Sequence, residues 1–268
     1  MRLRVLVDDN TYIDQYYCGE PAVSYYIEDD DINLIFDVGY SDLFLTNMKK
    51  FNIDINDIHN IVISHGHDDH TRGLKYYFEN IENDNLTITA HPDAFEEKRI
   101  GDLKICSPYV KEDLKKKCNL NFSKEPISIS KNIVFLGEIP QINSFENRKA
   151  IGKKITENNL EDDYVLDDSA IAYKSNDGIF IITGCSHSGI CNIIEHAKRV
   201  CNDNRVIGII GGFHLFDVNE QLKNTINYIK SNNIKEIYPS HCTSLAVKAE
   251  MYKILPIKEV GVGLQIEL

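Results

Sequence analysis

The arrangement that most constrains the fold of this chain is an apolar run that ends in small or polar residues and is followed by a histidine. It first occurs at Ile61–Ile63, which precedes His65. Three later segments repeat it, namely Gly178–His187, Ile207–His214 and Ile234–His241. Short apolar runs bounded by turn residues are typical of buried strands. Because α/β proteins place their sites where strands end at one edge of a sheet, we expect these loops to converge.

The first of these loops has His65, His67, Asp69 and His70 within six residues. Imidazole nitrogen and carboxylate oxygen are ligands that Zn²⁺ and similar divalent ions accept. On an extended backbone His65 and His67 point to the same side, whereas the consecutive Asp69 and His70 should diverge, so each pair could chelate a separate ion. Gly66 leaves room beside the ions. The loop therefore predicts half of a two-metal site, in preference to a polar surface loop with incidental histidines.

The remaining histidines divide into candidate ligands and isolated residues. The segment after His187 has apolar residues at helical spacing, namely Ile190, Ile193, Ile194 and Ala197. His187 should therefore lie at a helix N-terminus, whose positive end keeps the imidazole neutral for a metal. His214 could be a ligand, a proton donor or a contact behind the ligands. We interpret His59, His91 and His196 as structural, because a lone histidine is a weak signal.

The spacing His-x-His-x-Asp-His at 65–70 resembles the signature of the metallo-β-lactamase superfamily. The segment 33–39, which ends in Asp-x-Gly, resembles an early strand of that superfamily. Five further segments resemble the branch related to the archaeal dihydropterin ribofuranosyl-aminobenzene phosphate synthase, namely 137–140, 167–170, 183–190, 211–215 and 241–243. The similarity runs nearly from end to end.

This resemblance implies an α/β fold, a four-layer αββα sandwich in which two mixed sheets pack face to face beneath outer helices. The sequence is consistent with it, because short apolar runs such as Ile32–Phe36 and Ile179–Ile182 are interspersed with helical stripes such as Leu222, Ile226 and Ile229. A chain of 268 residues can bury one large core, so we predict a single domain over residues 1–268.

The resemblance further implies two ligand sets. The first metal is held by His65, His67 and His187, and the second by Asp69, His70 and His241. Cys185 occupies the position of the aspartate that bridges the metals in many members. It could be a thiolate ligand, a bridging group or a small buried residue, and we favour the last because free cysteine is commonly buried.

The predicted cofactors are two divalent metal ions, with zinc preferred and iron or manganese compatible with the same donors. Four aspartates are interpreted as residues that orient ligands or form turns, namely Asp37, Asp68, Asp167 and Asp168.

Two adjacent divalent ions activate water and polarise a substrate oxygen, so the primary prediction is hydrolysis of an ester or phosphodiester-type bond. In this prediction Asp69 binds metal and orients the attacking water, while His214 stabilises the oxyanion or protonates the leaving group. The first alternative is a transferase that condenses a pterin diphosphate with a ribofuranosyl-aminobenzene phosphate. The second alternative is a metal-dependent small-molecule sensor without turnover.

Substrate recognition is weakly indicated by the sequence. One local basic cluster could clamp a phosphate, and a solvated loop explains it equally well: Arg148, Lys149, Lys153 and Lys154. Tyr109 and Phe145 could stack on a planar ring such as a pterin, but packing within a core or loop is favoured. The expected partner is a small molecule, with phosphorylated and pterin-like compounds as candidates.

Charge, cysteine content and apolar stretches indicate the partners and the compartment of the protein. A net charge of −12 disfavours binding to nucleic acid. Seven cysteines without a C-x-x-C pair favour a reducing compartment. The apolar stretch near the N-terminus is too short for a signal peptide, and no run approaches the ~20 apolar residues of a membrane span. We therefore expect a cytoplasmic enzyme that does not bind membranes, and the sequence leaves its oligomeric state open.

Overall fold

The computed structural model describes residues 1–30, 32–156 and 159–268. The chain forms two compact units. Unit 1 comprises residues 1–124, 150–167 and 261–268, and unit 2 comprises residues 125–149 and 168–260. The assignment of residues 1–268 to one domain stays a prediction.

The described residues form strands and α-helices whose bounds are as follows. The strands are β1 (Arg2–Val7), β2 (Ser24–Asp29), β3 (Ile32–Phe36), β4 (Asn60–Val62), β5 (Thr87–Ala90), β6 (Glu97–Ile100), β7 (Leu103–Lys104), β8 (Asn119–Phe122), β9 (Ile127–Ser128), β10 (Ile133–Phe135), β11 (Lys153–Thr156), β12 (Asn159–Asp162), β13 (Ala170–Lys174), β14 (Ile179–Thr183), β15 (Val206–Gly212), β16 (Glu236–Ser240) and β17 (Gln265–Glu267). The helices are α1 (Leu43–Lys50), α2 (Asp68–Thr71), α3 (Gly73–Asn80), α4 (Lys111–Leu114), α5 (Ile190–Cys201), α6 (Glu220–Ser231) and α7 (Leu245–Tyr252).

Unit 1 contains a seven-stranded mixed sheet in the order β17-β1-β2-β3-β4-β5-β8. Strands β3, β4, β5 and β8 run parallel to one another, so their carboxyl ends lie at one edge. Ile61 and Val62 of β4 are fully buried, as are Leu74 and Tyr77 of α3. The strand is therefore a rigid support for the loop that begins at Ile63.

A second sheet of unit 1 is antiparallel and has the order β12-β11-β6-β7. Its outer strand β12 is exposed along its length, whereas Lys98 on β6 is fully buried. A buried lysine requires buried acceptors, and the carboxylates of Asp163 and Asp167 supply them.

Unit 2 contains a six-stranded mixed sheet in the order β16-β15-β14-β13-β10-β9. The pairs β14–β15 and β15–β16 are parallel, which places their carboxyl ends at one edge. The predicted apolar stripes of α5 and α6 are confirmed, because both stripes lie in the core cluster of this unit with Ile181 and Ile209. The predicted strands at Ile32–Phe36 and Ile179–Ile182 are confirmed as well.

The N-terminus of α5 is capped by a buried carboxylate. Glu146 accepts hydrogen bonds from the backbone N–H of Cys191 at 3.0 Å and of Asn192 at 2.8 Å. Burial raises the pKa of Glu146, whereas these backbone donors lower it. The helix begins beyond His187, as predicted, but its positive end is partly neutralised by Glu146, which weakens its effect on that imidazole.

Across the described ranges, no helix combines the length and apolar character that a membrane crossing requires.

Candidate metal centre

The metal loop of unit 1, residues 63–71, changes from extended to helical backbone. His67 has extended dihedrals and precedes α2, and its carbonyl accepts a hydrogen bond from the Thr71 hydroxyl at 2.8 Å. His65 and His67 therefore belong to the extended part, while Asp69 and His70 lie on the helical turn. Two backbone geometries thus present the two pairs of candidate ligands.

The candidate ligand atoms of this loop converge. His65 Nε2 lies 3.0 Å from His67 Nδ1, which agrees with the predicted common side of an extended segment. Ligand atoms of His65, His67 and Asp69 all lie within 4.8 Å of one another. The expectation that Asp69 and His70 diverge is wrong, because Asp69 Oδ2 lies 3.4 Å from His70 Nε2. The helical turn, which the sequence did not predict, brings the ends of these two side chains together.

Asp37 at the end of β3 orients His70. Its Oδ2 accepts from His70 Nδ1 at 2.7 Å, and its two oxygens accept from the hydroxyl and backbone N–H of Ser64, each at 2.7 Å. All three side chains are fully buried. With Nδ1 bound to Asp37, the imidazole directs Nε2 towards Asp69, as expected of a carboxylate that supports a metal-ligating histidine.

The electrostatic surroundings shift the pKa values of His67 and His70 in opposite directions. Burial and, to a smaller extent, the positive charge of Lys98 together lower the pKa of His67 to about 4. His67 is therefore neutral near pH 7, the form that binds metal. Burial alone would also lower the pKa of His70, but the carboxylates of Asp69 and Asp37 raise it to about 10. A cation that binds His70 must displace a proton from it.

Gly66 is required by a close backbone approach. A Cβ at this position would lie 2.0 Å from the carbonyl oxygen of Ala94. The expectation that Gly66 leaves room for ions is therefore corrected, since the neighbouring space holds backbone. Its N–H donates to Asp167 Oδ2 at 2.8 Å, which anchors the loop from behind.

Lys98 completes the anchor, and sequence reasoning missed it. Its Nζ lies 2.5 Å from Asp167 Oδ1 and 3.1 Å from Asp163 Oδ2, and all three residues are buried. Burial would raise the pKa of Asp167, but Lys98 holds it below its ordinary value. Asp167 thus stays ionised and orients the loop, in agreement with its interpretation as an orienting residue. No pattern around Lys98 distinguishes it from a surface lysine.

In unit 2 the loops after β14, β15 and β16 carry the remaining candidates. Gly212 N–H donates to Gly184 O at 2.8 Å, and the N–H of Phe213 donates to Thr243 Oγ1 at 2.9 Å. These bonds tie the three loops at the parallel edge. His214 and His241 have positive φ angles of 48° and 42°, a left-handed conformation that is costly for residues other than glycine.

Cys185 lies close to both His187 and His241. A ligand atom of Cys185 is within 4.8 Å of one from His187, and likewise of one from His241. Cys185 is buried and forms no disulfide. His214 lies beside His187, with ring centroids 4.3 Å apart. Asp168 Oδ2 accepts from the N–H of Ser188 at 2.8 Å and so orients the His187 loop.

The isolated histidines have structural partners. His91 is buried and its Nδ1 accepts from the N–H of Asp93, which caps the 3-10 helix Pro92–Phe95. His196 Nε2 lies 2.9 Å from the carbonyl oxygen of Leu136. His59 Nδ1 lies 3.3 Å from Asn83 Nδ2.

The predicted recognition residues also have partners within the protein. Lys153 pairs with Asp162 at 2.8 Å, and Lys154 lies 3.7 Å from Asp93. Arg148 donates to the carbonyl oxygen of Ile139 at 2.6 Å. These contacts favour structural roles over a phosphate clamp.

The two aromatic candidates are engaged in packing as well. The ring of Tyr109 packs edge-on against Phe78 with centroids 5.5 Å apart, and Phe145 packs against the core of unit 2. Packing, which the sequence favoured, thus describes both residues better than stacking on a substrate ring.

Comparisons with known proteins define the class. The family model of the metallo-beta-lactamase superfamily matches residues 19–137. An uncharacterised protein of Methanocaldococcus jannaschii is 34% identical over 94% of this chain and 94% of its own length. The chain belongs to the metallo-beta-lactamase superfamily.

Two further relatives refine this assignment. The 7,8-dihydropterin-6-methyl-4-(beta-D-ribofuranosyl)-aminobenzene-5'-phosphate synthase of the same organism is 32% identical over 97% of this chain and 92% of its own length. The crystal structure of a metal-dependent hydrolase of the beta-lactamase superfamily is similar with a TM-score of 0.84 and 25% identity, over 100% of this chain and 99% of that chain. The predicted α/β class, the superfamily fold and the resemblance to the synthase branch are confirmed.

The contacts of Asp167 with Gly66 and Lys98 should support both the fold and metal binding. Asp167→Ala removes the acceptor of the Gly66 N–H and leaves the buried Lys98 with Asp163 alone. We expect the free energy of unfolding to fall by about 3 kcal/mol, the scale for breaking a buried pair, and zinc affinity to fall about tenfold. Denaturant titration and competition with a chromogenic chelator measure the two effects.

Lys104→Met is the matched control, because Lys104 pairs with Glu97 at 2.8 Å on the surface. Its loss should cost under about 1 kcal/mol. Equal effects of the two substitutions on stability and zinc affinity would contradict the role of Asp167.

Proposed function

We propose that the protein is a binuclear metal-dependent hydrolase that cleaves an ester or phosphodiester-type bond. The observation that carries the proposal is the convergence of His65, His67 and Asp69 within 4.8 Å, beside a His70 that Asp37 orients. Buried imidazoles held by a buried carboxylate are typical of metal sites. The similarity to a metal-dependent hydrolase of this superfamily supports the same reaction class.

We propose the two ligand sets that the superfamily signature implies. His65, His67 and His187 are assigned to one ion, and Asp69, His70 and His241 to the other. The donors fit zinc and also suit iron or manganese, since imidazole and carboxylate accept each of these. When bound, such a pair of ions activates water and polarises the substrate oxygen.

Two residues supply the remaining chemistry. The Asp69 side chain is 26% exposed, so one carboxylate can bind metal and still accept a hydrogen bond from the attacking water. His214 is partly exposed and its ring lies against His187, where it can donate a proton to the leaving group. The left-handed backbone at His214 holds that ring in place.

His67→Ala tests the metal site. The variant removes a neutral, buried imidazole from one ligand set, so we expect about one metal per chain, against about two in the unsubstituted protein, and loss of activity of at least about 100-fold. Elemental analysis after zinc loading and hydrolysis of bis(p-nitrophenyl) phosphate measure both. His59→Ala, at an exposed histidine that contacts Asn83, is the control. Full metal content and turnover in His67→Ala would refute the assignment.

We further propose that the Cys185 thiolate is a ligand, which revises the packing role favoured by the sequence. Its position within 4.8 Å of ligand atoms of both His187 and His241 supports this role, and a thiolate there can replace the bridging carboxylate of other members. Zinc and cobalt both accept thiolate alongside imidazole.

Cobalt substitution tests the thiolate. The cobalt(II)-loaded protein should show thiolate-to-cobalt charge-transfer absorption in the near ultraviolet, and Cys185→Ser should abolish the band and weaken metal binding about tenfold or more. Cys201→Ser is the control, because Cys201 lies at the C-terminal end of α5 and packs against the core of unit 2. A band that persists in Cys185→Ser would exclude the thiolate ligand.

A second candidate is the condensing transferase, favoured by the 32% identity to the dihydropterin-related synthase. Incubation of the metal-loaded protein with a dihydropterin diphosphate and a ribofuranosyl-aminobenzene phosphate separates the candidates. The hydrolase proposal predicts no coupled product by mass spectrometry, and a coupled product with release of diphosphate would replace it. Full metal content without either activity would favour the sensor.

A further inference from the structure

Three large apolar side chains of unit 2 are exposed in the segments that follow two candidate site residues: Phe216 and Val218 come two and four residues after His214, and Leu245 comes four residues after His241. Phe216 is 52% exposed, Val218 58% and Leu245 83%. Single exposed apolar residues need no explanation, but a group beside a candidate catalytic residue indicates a binding surface.

The backbone of this surface is fixed. The hydroxyl of Ser244 donates to the carbonyl oxygen of Phe216 at 2.8 Å, and the N–H of Ser244 donates to Leu215 O at 3.0 Å. A bridge between Leu215 and Thr243 joins the same two segments. Leu245 follows Ser244 directly, so it and Phe216 lie on adjoining, hydrogen-bonded segments.

The Phe216 ring is coupled to the candidate catalytic residue. It meets the imidazole of His214 edge-on, with centroids 5.0 Å apart, and that imidazole contacts His187. The aromatic ring is therefore held one ring away from a candidate metal ligand. The remainder of its surface faces solvent, where it can pack against a ligand.

The charge of the surface indicates what it accepts. The exposed charged groups that follow along the chain are Asp217, Glu220 and Lys223, and Glu220 pairs with Lys223 at 3.5 Å. The net charge of the segment is therefore negative through Asp217, which disfavours the anionic part of a substrate and leaves the apolar surface to a neutral group.

We propose that Phe216, Val218 and Leu245 form an apolar platform that binds a neutral aromatic or apolar group of the substrate next to the bond that is cleaved. The inference rests on the proposed hydrolase and names its substrate class: an ester or phosphodiester with such a group on the side of His214. Aromatic groups pack on a phenylalanine ring edge-on or offset, which makes Phe216 the specificity-determining residue.

Binding of two phosphonates to the zinc-loaded protein tests the platform. Phenylphosphonate and methylphosphonate share an anionic head and differ in the aromatic ring. Isothermal titration should give about tenfold tighter binding of phenylphosphonate, or about 1.4 kcal/mol. Phe216→Ala should reduce this ratio to about one to two, Phe216→Leu should reduce it partly, and Leu245→Ala should reduce it by a smaller factor.

Tyr252→Ala is the matched control, because Tyr252 is an aromatic residue, 72% exposed, at the far end of α7. It should leave the ratio unchanged, and metal content per chain reports on folding of every variant. Equal binding of the two phosphonates by the unsubstituted protein, or an unchanged ratio in Phe216→Ala, would overturn the platform. Binding of neither phosphonate would overturn it too. Normal metal content with phosphodiester hydrolysis would in each case leave the proposed function standing, whereas absent metal would remove both.

Discussion

The hydrogen-bonded carboxylate of Asp37 is the interaction on which the metal loop depends. Asp37 follows β3 and has a left-handed φ of 55°. Its carboxylate binds Ser64, which follows the parallel neighbour β4, and His70 on α2. A buried carboxylate without these donors would be costly, and the donors without it would lose their partners. The same three groups therefore join two strand ends and aim an imidazole.

A second buried carboxylate, Asp167, holds the loop from its other side. It is paired with Lys98, whose charge adds to the effect of burial in keeping His67 neutral. Breaking such a pair is more costly than its net contribution suggests, because the remaining charge stays buried. The metal loop is thus held by two buried carboxylates, which fixes its geometry before any cation binds and lowers the cost of ordering its ligands.

The sequence predicted the elements whose cause is local. The periodicity of α5 and the apolar run of β14 indicated their type, because burial of one face is visible in the order of residues. It failed where partners are distant in the chain. Lys98 and Asp167 are 69 residues apart, and Gly66 is required by the backbone of Ala94. The short helix at Asp68–Thr71 was not predicted, because four residues are too few to show a helical period.

Four of the ten non-glycine residues with positive φ angles in the described ranges lie in loops that carry or orient the candidate ligands. Asp37, Ser186, His214 and His241 all have positive φ angles, and each follows the end of a strand. Such conformations cost of order 1 kcal/mol or more for residues other than glycine and persist only where surrounding bonds impose them. In unit 2 the hydrogen bonds between the loops after β14, β15 and β16 impose these conformations. In unit 1 the hydrogen bonds of the Asp37 carboxylate do the same at Asp37. Glycine would relieve the strain at His214 or His241 but would remove the imidazole, so their side chains, and not their backbone preference, account for these residues.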